Sequence, residues 1–158
     1  MRTMLIAVWL LAAGTPASAD VLIRASPGGD VARYLALFSV VRQSGERVII
    51  DGPCLSACTL VLSIVPNNRI CVTHRAILGF HAARELDDKT GRLSPAADAT
   101  RVIQGTYPTA VQVWIARHGG LSRRLLLLRG RELRAMFPSC RLSTTHAADF
   151  LQKRSRAK

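Results

Sequence analysis

The first nineteen residues constrain the chain most, because they indicate the compartment in which the remainder folds. Arg2 supplies a positive charge, residues 4–13 form an uninterrupted apolar run, and residues 17–19 offer an A-x-A cleavage site. This order is typical of a secretory signal peptide. A membrane-spanning helix needs about 20 apolar residues, so a retained anchor is the weaker interpretation. We predict a periplasmic or secreted protein, cleaved after Ala19, with no stable membrane span afterwards.

Export changes how the four cysteines are interpreted. Cys54, Cys58, Cys71 and Cys140 all follow the cleavage site, and an oxidising compartment favours two disulfides over free thiols. Four cysteines allow three pairings, between which the sequence does not decide. A zinc site is the rival, because Cys54 and Cys58 have ligand-like spacing, yet none of the four has a nearby histidine in a metal-ligand pattern. We expect disulfides and no metal, with free or partly paired thiols as the remaining alternative.

Composition and charge limit the classes of partner that the chain could bind. The 158 residues are 49% hydrophobic, which excludes a disordered chain, and they allow one compact domain. A formal net charge of +12 favours anionic partners. An exported protein is not expected to meet nucleic acid. The arginine-rich C-terminal half also lacks the aromatic residues of a base-stacking surface. The remaining hypothesis is that the positive charge contacts polyanions of the cell envelope. Its carriers would be the arginines of the C-terminal half: Arg117, Arg123, Arg124, Arg129, Arg131, Arg134 and Arg141.

Apolar runs alternate with helical patterns along the chain. Short buried strands are predicted at residues 21–25, 47–50, 70–73 and 76–80, and helices at 30–44, 54–65, 97–117 and 122–128. Pro108 should break the third helix, residues 82–96 should form a surface loop, and residues 132–137 fit a strand or a helix. The alternation predicts a single α/β domain over residues 20–152 with mainly parallel strands. A basic tail at 153–158 follows it.

Candidate catalytic groups follow three of these strands. The turn SPGG occupies residues 26–29, Ser56 ends the stretch GPCLS, and His81 directly follows the run at 76–80. In α/β folds the loops after strands carry catalytic groups, and a serine hydroxyl needs a neighbouring base such as histidine. The plainer alternatives are that Ser56 is a helix N-cap and that His81 is structural.

The order and spacing of these motifs resemble the Clp-type serine peptidases, within the Clp/crotonase fold group, and predicted periplasmic proteins of that fold. The motifs are SPGG at 26–29, GPCLS at 52–56, and RIC at 69–71 leading to LGFH at 78–81. The resemblance covers residues 26–81 well and the C-terminal half faintly. It implies Ser56 as nucleophile, His81 as general base, and the backbone N–H groups of Gly29 and Ala57 as the oxyanion hole.

The resemblance is weakest at the third catalytic group. The resemblance puts Glu132 where the family has an aspartate, with one residue fewer in the preceding segment. Asp149, Asp88 and a Ser–His dyad are the alternatives, whereas a Ser–Lys arrangement lacks a lysine at a strand end. Cys54 and Cys58 flank Ser56 and would rigidify its turn.

The activity implied by the resemblance is hydrolysis of a peptide or another acyl substrate. Because nothing in the chain resembles an ATPase domain or its docking partner, and an exported protein works in an ATP-poor compartment, we expect hydrolysis without ATP. No cofactor is expected. Family peptidases form rings, so a homo-oligomer is a further expectation, although their helical handle is not recognisable in this chain. The alternative is a non-catalytic binding or assembly module on the same fold.

Overall fold

A computed structural model of the chain describes residues 19–87 and 89–140. Residues 1–18, and with them nearly all of the predicted signal peptide, lie outside the described residues. So do Asp88, Arg141, Asp149 and the basic tail.

The described residues alternate between short strands and helices. The strands are β1 (Val21–Ile23), β2 (Val48–Ile50), β3 (Pro53–Leu55), β4 (Ile70–Val72), β5 (Ile77–Phe80), β6 (Arg84–Leu86), β7 (Leu93–Pro95) and β8 (Leu126–Arg129). The helices are α1 (Val31–Ser44), α2 (Val61–Ile64), α3 (Ala97–Thr106), α4 (Thr109–Arg117) and α5 (Gly130–Met136). The predicted α/β class is therefore confirmed.

Two small sheets organise the fold. The first has the order β1-β2-β4 with parallel pairing, and the second has the order β3-β5-β8. In the second sheet β3 and β5 are parallel, whereas β5 and β8 are antiparallel. A bridge between Ser26 and Cys54 connects the chain leaving β1 with β3. Parallel pairing thus dominates where the apolar runs predicted it, and the antiparallel pairs involve elements that were not predicted as strands.

The core lies between these sheets and the helices. Strand residues such as Ile50, Val72 and Leu78 are fully buried. Phe80 packs edge-to-face against Tyr107 at 5.3 Å between ring centroids and tilts against Trp114 at 6.2 Å. This aromatic group attaches α3 and α4 to the end of β5, which is the edge where candidate catalytic residues were expected.

Three local predictions need comment. The helix predicted at residues 122–128 is wrong, because its leucine run forms β8 and pairs with β5. The loop predicted at 82–96 contains an antiparallel hairpin of β6 and β7, whose strands are largely exposed and include the paired leucines Leu86 and Leu93. The break at Pro108 is confirmed, since Pro108 separates α3 from α4. Of residues 132–137, for which a strand or a helix was predicted, all but the last belong to α5.

Both expected disulfides are present, and the structure resolves their pairing. Cys54 is bonded to Cys58 with 5.3 Å between Cα atoms, and Cys71 to Cys140 with 5.0 Å. The part of the chain that is described contains no cluster of metal-ligating side chains. Within that same part no helix has both the length and the apolar character needed to cross a bilayer.

Candidate functional site

Ser56 stands at a strained turn between β3 and a 3₁₀ helix at Ser56–Leu60. Its φ of 55° makes it the one non-glycine residue with positive φ among residues 19–87 and 89–140. The left-handed conformation costs an L-residue about 1–2 kcal/mol, and such strain persists where the surroundings impose it, often at active sites. The turn leaves Ser56 partly exposed while the following residues are buried.

A chain of two hydrogen bonds leads from the carbonyl of this strained residue to Tyr107. The Thr59 hydroxyl donates to the Ser56 carbonyl oxygen at 2.7 Å, and the Tyr107 hydroxyl lies 2.7 Å from the Thr59 oxygen. Since the single hydroxyl proton of Thr59 is used, Tyr107 must be the donor in the second bond. Burial raises the pKa of the Tyr107 phenol, which keeps that proton in place. Sequence reasoning missed both residues, which lie far apart along the chain.

The SPGG turn lies directly against the turn that carries Ser56. Ser26 and Leu55 are joined by a backbone hydrogen bond of 2.9 Å. A Cβ on Gly28 would lie 2.5 Å from the Leu55 oxygen, 2.6 Å from the Ser56 Cβ and 3.0 Å from the Ala57 nitrogen. Only glycine permits this approach. The sequence directed attention to Gly29, but Gly28 makes the closer contact with Ser56.

The predicted oxyanion hole consists of the backbone N–H groups of Gly29 and Ala57, and the structure describes the surroundings of both. Gly29 has a φ of 153°, and a Cβ there would meet Tyr34 at an ordinary 3.8 Å. Its need for glycine is therefore conformational. In the described part, neither Gly29 nor Ala57 donates its backbone N–H to a backbone carbonyl. An oxyanion hole needs two donors aimed at one point; of the two residues, Ala57 lines the cleft with Ser56, whereas Gly29 is not among the residues that line it.

His81 leaves β5 next to the strand that delivers Ser56. Leu55 and Gly79 are register partners in the parallel β3–β5 pair, so Ser56 and His81 follow that pair by one and two residues. The His81 Nδ1 lies 2.7 Å from the carbonyl oxygen of Ala82. A carbonyl only accepts, so Nδ1 carries the proton and donates it. In the neutral form of the ring, Nε2 then has a free lone pair, as a general base needs.

Ser56, Ala57 and His81 line one cleft. Its volume of about 40 Å³ is far below the several hundred Å³ of a drug-sized site, so it suits a small side chain with the rest of a ligand outside. No hydrogen bond joins the Ser56 and His81 side chains in the described structure, and such bonds often tighten only around substrate. The other lining residues are Val31, Thr59, Leu60, Ala83, Thr100, Ile103, Tyr107 and Leu121.

Glu132 is not brought to His81. Its Oε1 accepts a 3.1 Å hydrogen bond from the Trp114 Nε1, while the Ala82 carbonyl occupies the Nδ1 of His81. The structure therefore does not support Glu132 as the third catalytic group, because its carboxylate accepts the indole N–H of Trp114 and makes no hydrogen bond to His81. Of the alternatives, Asp88 and Asp149 lie outside the described residues. Among the described residues, the His81 Nδ1 has the Ala82 backbone carbonyl as its acceptor, and His81 shares a cleft with Ser56.

Comparison with known proteins does not identify a family for this chain. No protein-family model matches the chain, and no curated protein matches it. The function is therefore inferred from the chemistry of the cleft.

Proposed function

We propose that the chain is an exported serine hydrolase of Clp/crotonase-like fold, acting on peptide or other acyl bonds without ATP. The observation that carries the proposal is the strained Ser56, which shares a cleft with a histidine whose tautomer leaves Nε2 free. Strain at a serine is costly, and a purely structural helix cap does not need it. The two disulfides support the export part, with residues 1–19 as the cleaved signal peptide.

The chemistry would be acyl transfer in two halves. The Nε2 of His81 takes the Ser56 hydroxyl proton while the Ser56 oxygen bonds to the substrate carbonyl carbon, whose π electrons move onto its oxygen. The N–H groups of Gly29 and Ala57 stabilise that oxyanion. The carbon–nitrogen or carbon–oxygen bond then breaks, and His81 returns the proton to the leaving group. Water, deprotonated by His81, attacks the acyl ester and releases the acid and Ser56.

A non-catalytic binding or assembly module is the second candidate. The observation in its favour is that no hydrogen bond joins Ser56 to His81 within the described residues. On that alternative the strained turn would shape a recognition cleft, and replacing the Ser56 oxygen would not remove a chemical activity.

Hydrolysis assays separate the two. Purified protein from an exporting host, its N-terminus established by mass spectrometry, would be tested on activated acyl esters and fluorogenic peptides. Ser56→Ala and His81→Gln should each lower the rate by about a thousandfold or more. Ser39→Ala, which removes an exposed helix hydroxyl bonded to the Leu35 carbonyl, should not change it. Folded wild-type protein that hydrolyses nothing, or a Ser56→Ala variant as active as wild type, would overturn the proposal.

A further inference from the structure

The second sheet has one face that is partly exposed in the described structure: Pro53 and Leu127 are exposed, and Leu55 and Ile77 are half-buried. On its inner side Cys54, Leu78 and Leu128 are fully buried. Side chains alternate along a strand, so the intervening residues point the other way. Pro53 pairs with Ile77, and Leu55 and Leu127 both pair with Gly79. These apolar residues, together with Leu125, form what we call the outer face.

Gly79 is the centre of this outer face. A Cβ there would lie 2.5 Å from the Leu55 Cδ2 and 3.2 Å from the Leu125 Cδ1, so the missing side chain lets the two leucines meet above the sheet. Leu125 and Leu127 remain 39% and 42% exposed. A contiguous exposed aliphatic patch on a soluble fold usually marks a contact surface.

Positive charge surrounds the outer face. Arg129 pairs with Ile77 and therefore projects from the same side of the sheet. Arg24 and Arg75 line a surface cleft with Pro53 at the opposite edge. Arg75 is ion-paired with the buried Asp51, and Arg24 also interacts electrostatically with that carboxylate. Arg129 forms no ion pair with a described carboxylate. The patch is therefore aliphatic in the middle and cationic at its rim.

We propose that the outer face docks the protein on an anionic phospholipid bilayer. Aliphatic side chains can enter the headgroup region while the arginines contact lipid phosphates, which is the combination used by peripheral membrane surfaces. A second copy fits less well, because a symmetric contact would bring like-charged rims together. The face also lacks the aromatic anchors in which protein interfaces are enriched. This role is independent of the proposed hydrolase activity.

Vesicle flotation tests the docking. Protein from the exporting host, with its N-terminus verified, would be mixed with vesicles of phosphatidylcholine alone or of equimolar phosphatidylcholine and phosphatidylglycerol. Only the anionic vesicles should bind, and binding should weaken as salt rises. Arg129→Gln and Leu127→Ser should each lower the partition coefficient about fivefold. Leu37→Ser and Arg84→Gln, matched changes at exposed positions of α1 and β6, should leave it within about twofold.

Three results would overturn this assignment. One is the absence of wild-type binding to anionic vesicles by protein that is folded by circular dichroism. Another is binding that Leu127→Ser and Leu37→Ser leave equally unchanged, since the arginines alone would then account for it. The third is a dimer in sedimentation equilibrium that Leu127→Ser dissociates, because the outer face would then belong to a second copy.

Discussion

Thr59 donates a 2.7 Å hydrogen bond to the backbone carbonyl of Ser56. The bond spans the first turn after β3 and fixes the orientation of the one residue whose side chain must point into the cleft. Tyr107, from the segment between α3 and α4, supports Thr59 in turn. The proposed nucleophile is thus held through its backbone by Thr59 and, one bond further, by Tyr107.

We predict that Thr59→Val lowers kcat by about ten- to a hundredfold with little change in KM, because a small misplacement of a nucleophile is costly. Thr59→Ser keeps the hydroxyl and should restore most of the rate. Thr106→Val is the matched control, since it removes a hydroxyl bonded to the Ile103 carbonyl. Steady-state kinetics would show the effect. Equal activity of the Thr59→Val and Thr106→Val variants would assign Thr59 a purely structural role.

The strain at Ser56 predicts a conflict between stability and function. Glycine adopts a φ of 55° without steric cost, whereas alanine does not. Ser56→Gly should therefore unfold with a free energy about 1 kcal/mol higher than Ser56→Ala, although both variants lack the nucleophile. Chemical denaturation of the two proteins measures this difference. A Ser56→Gly variant less stable than Ser56→Ala would show that the turn is not strained.

Glu132 should be dispensable for catalysis. Because its carboxylate accepts from the Trp114 indole and not from His81, we expect Glu132→Gln to retain kcat/KM within about twofold, and His81→Gln to lose activity. The indole fluorescence of Glu132→Gln should change, which confirms that the substitution reached its partner. A thousandfold loss in Glu132→Gln would instead restore Glu132 as the third catalytic group.

The two disulfides should act on different properties. Cys71–Cys140 joins residues 69 apart and Cys54–Cys58 residues 4 apart. Loop entropy gives the long bridge about 4 kcal/mol of stabilisation and the short one about 2 kcal/mol. We predict that replacing Cys71 and Cys140 by alanine lowers the unfolding free energy more. Replacing Cys54 and Cys58, which flank Ser56, should lower kcat more. The reverse order in denaturation and kinetics would contradict this division.

Asp51 predicts a loss of stability in acid. The Arg75 guanidinium is the main cause that lowers the pKa of the buried Asp51 carboxyl; burial opposes the shift and the Thr73 hydroxyl assists it. With a lowered folded-state pKa, the stabilisation is complete above the unfolded value of about 4 and disappears as pH falls through the folded value. Asp51→Asn should be less stable by about 1–3 kcal/mol at neutral pH. Its stability should also fall less steeply in acid denaturation series, and parallel curves would exclude Asp51.

Short-range patterns predicted the strand that precedes His81, because the apolar run at 76–80 forms β5. They missed β3, the strand directly before Ser56, whose residues were predicted to be a turn and the start of a helix. The parallel β3–β5 pair places Ser56 and His81 at neighbouring strand ends. The leucines of β8 were read as a helix, because a short apolar run looks the same in a buried strand and in a buried helix. Pairing with β5 decides between them, and that contact is not visible in the local sequence.

The support around the nucleophile could not be read from the sequence. Thr59 and Tyr107 are separated by 48 residues, and neither belongs to a motif. The acceptor for His81 is a backbone carbonyl, which any residue type can supply, so a search for an acidic partner was directed to Glu132. Gly28 and Gly29 are adjacent glycines in one turn, and only their packing shows which of them must admit Ser56.

The central claim is that Ser56 is an activated nucleophile, and covalent labelling tests it most directly. The exported protein would be treated with a fluorophosphonate probe at neutral pH, and the modified residue located by peptide mass spectrometry. We predict a single phosphonylated site at Ser56, labelled much more slowly in His81→Gln and absent from Ser56→Ala. Folded wild-type protein that remains unlabelled, or that is labelled equally after Ser56→Ala, would contradict the account.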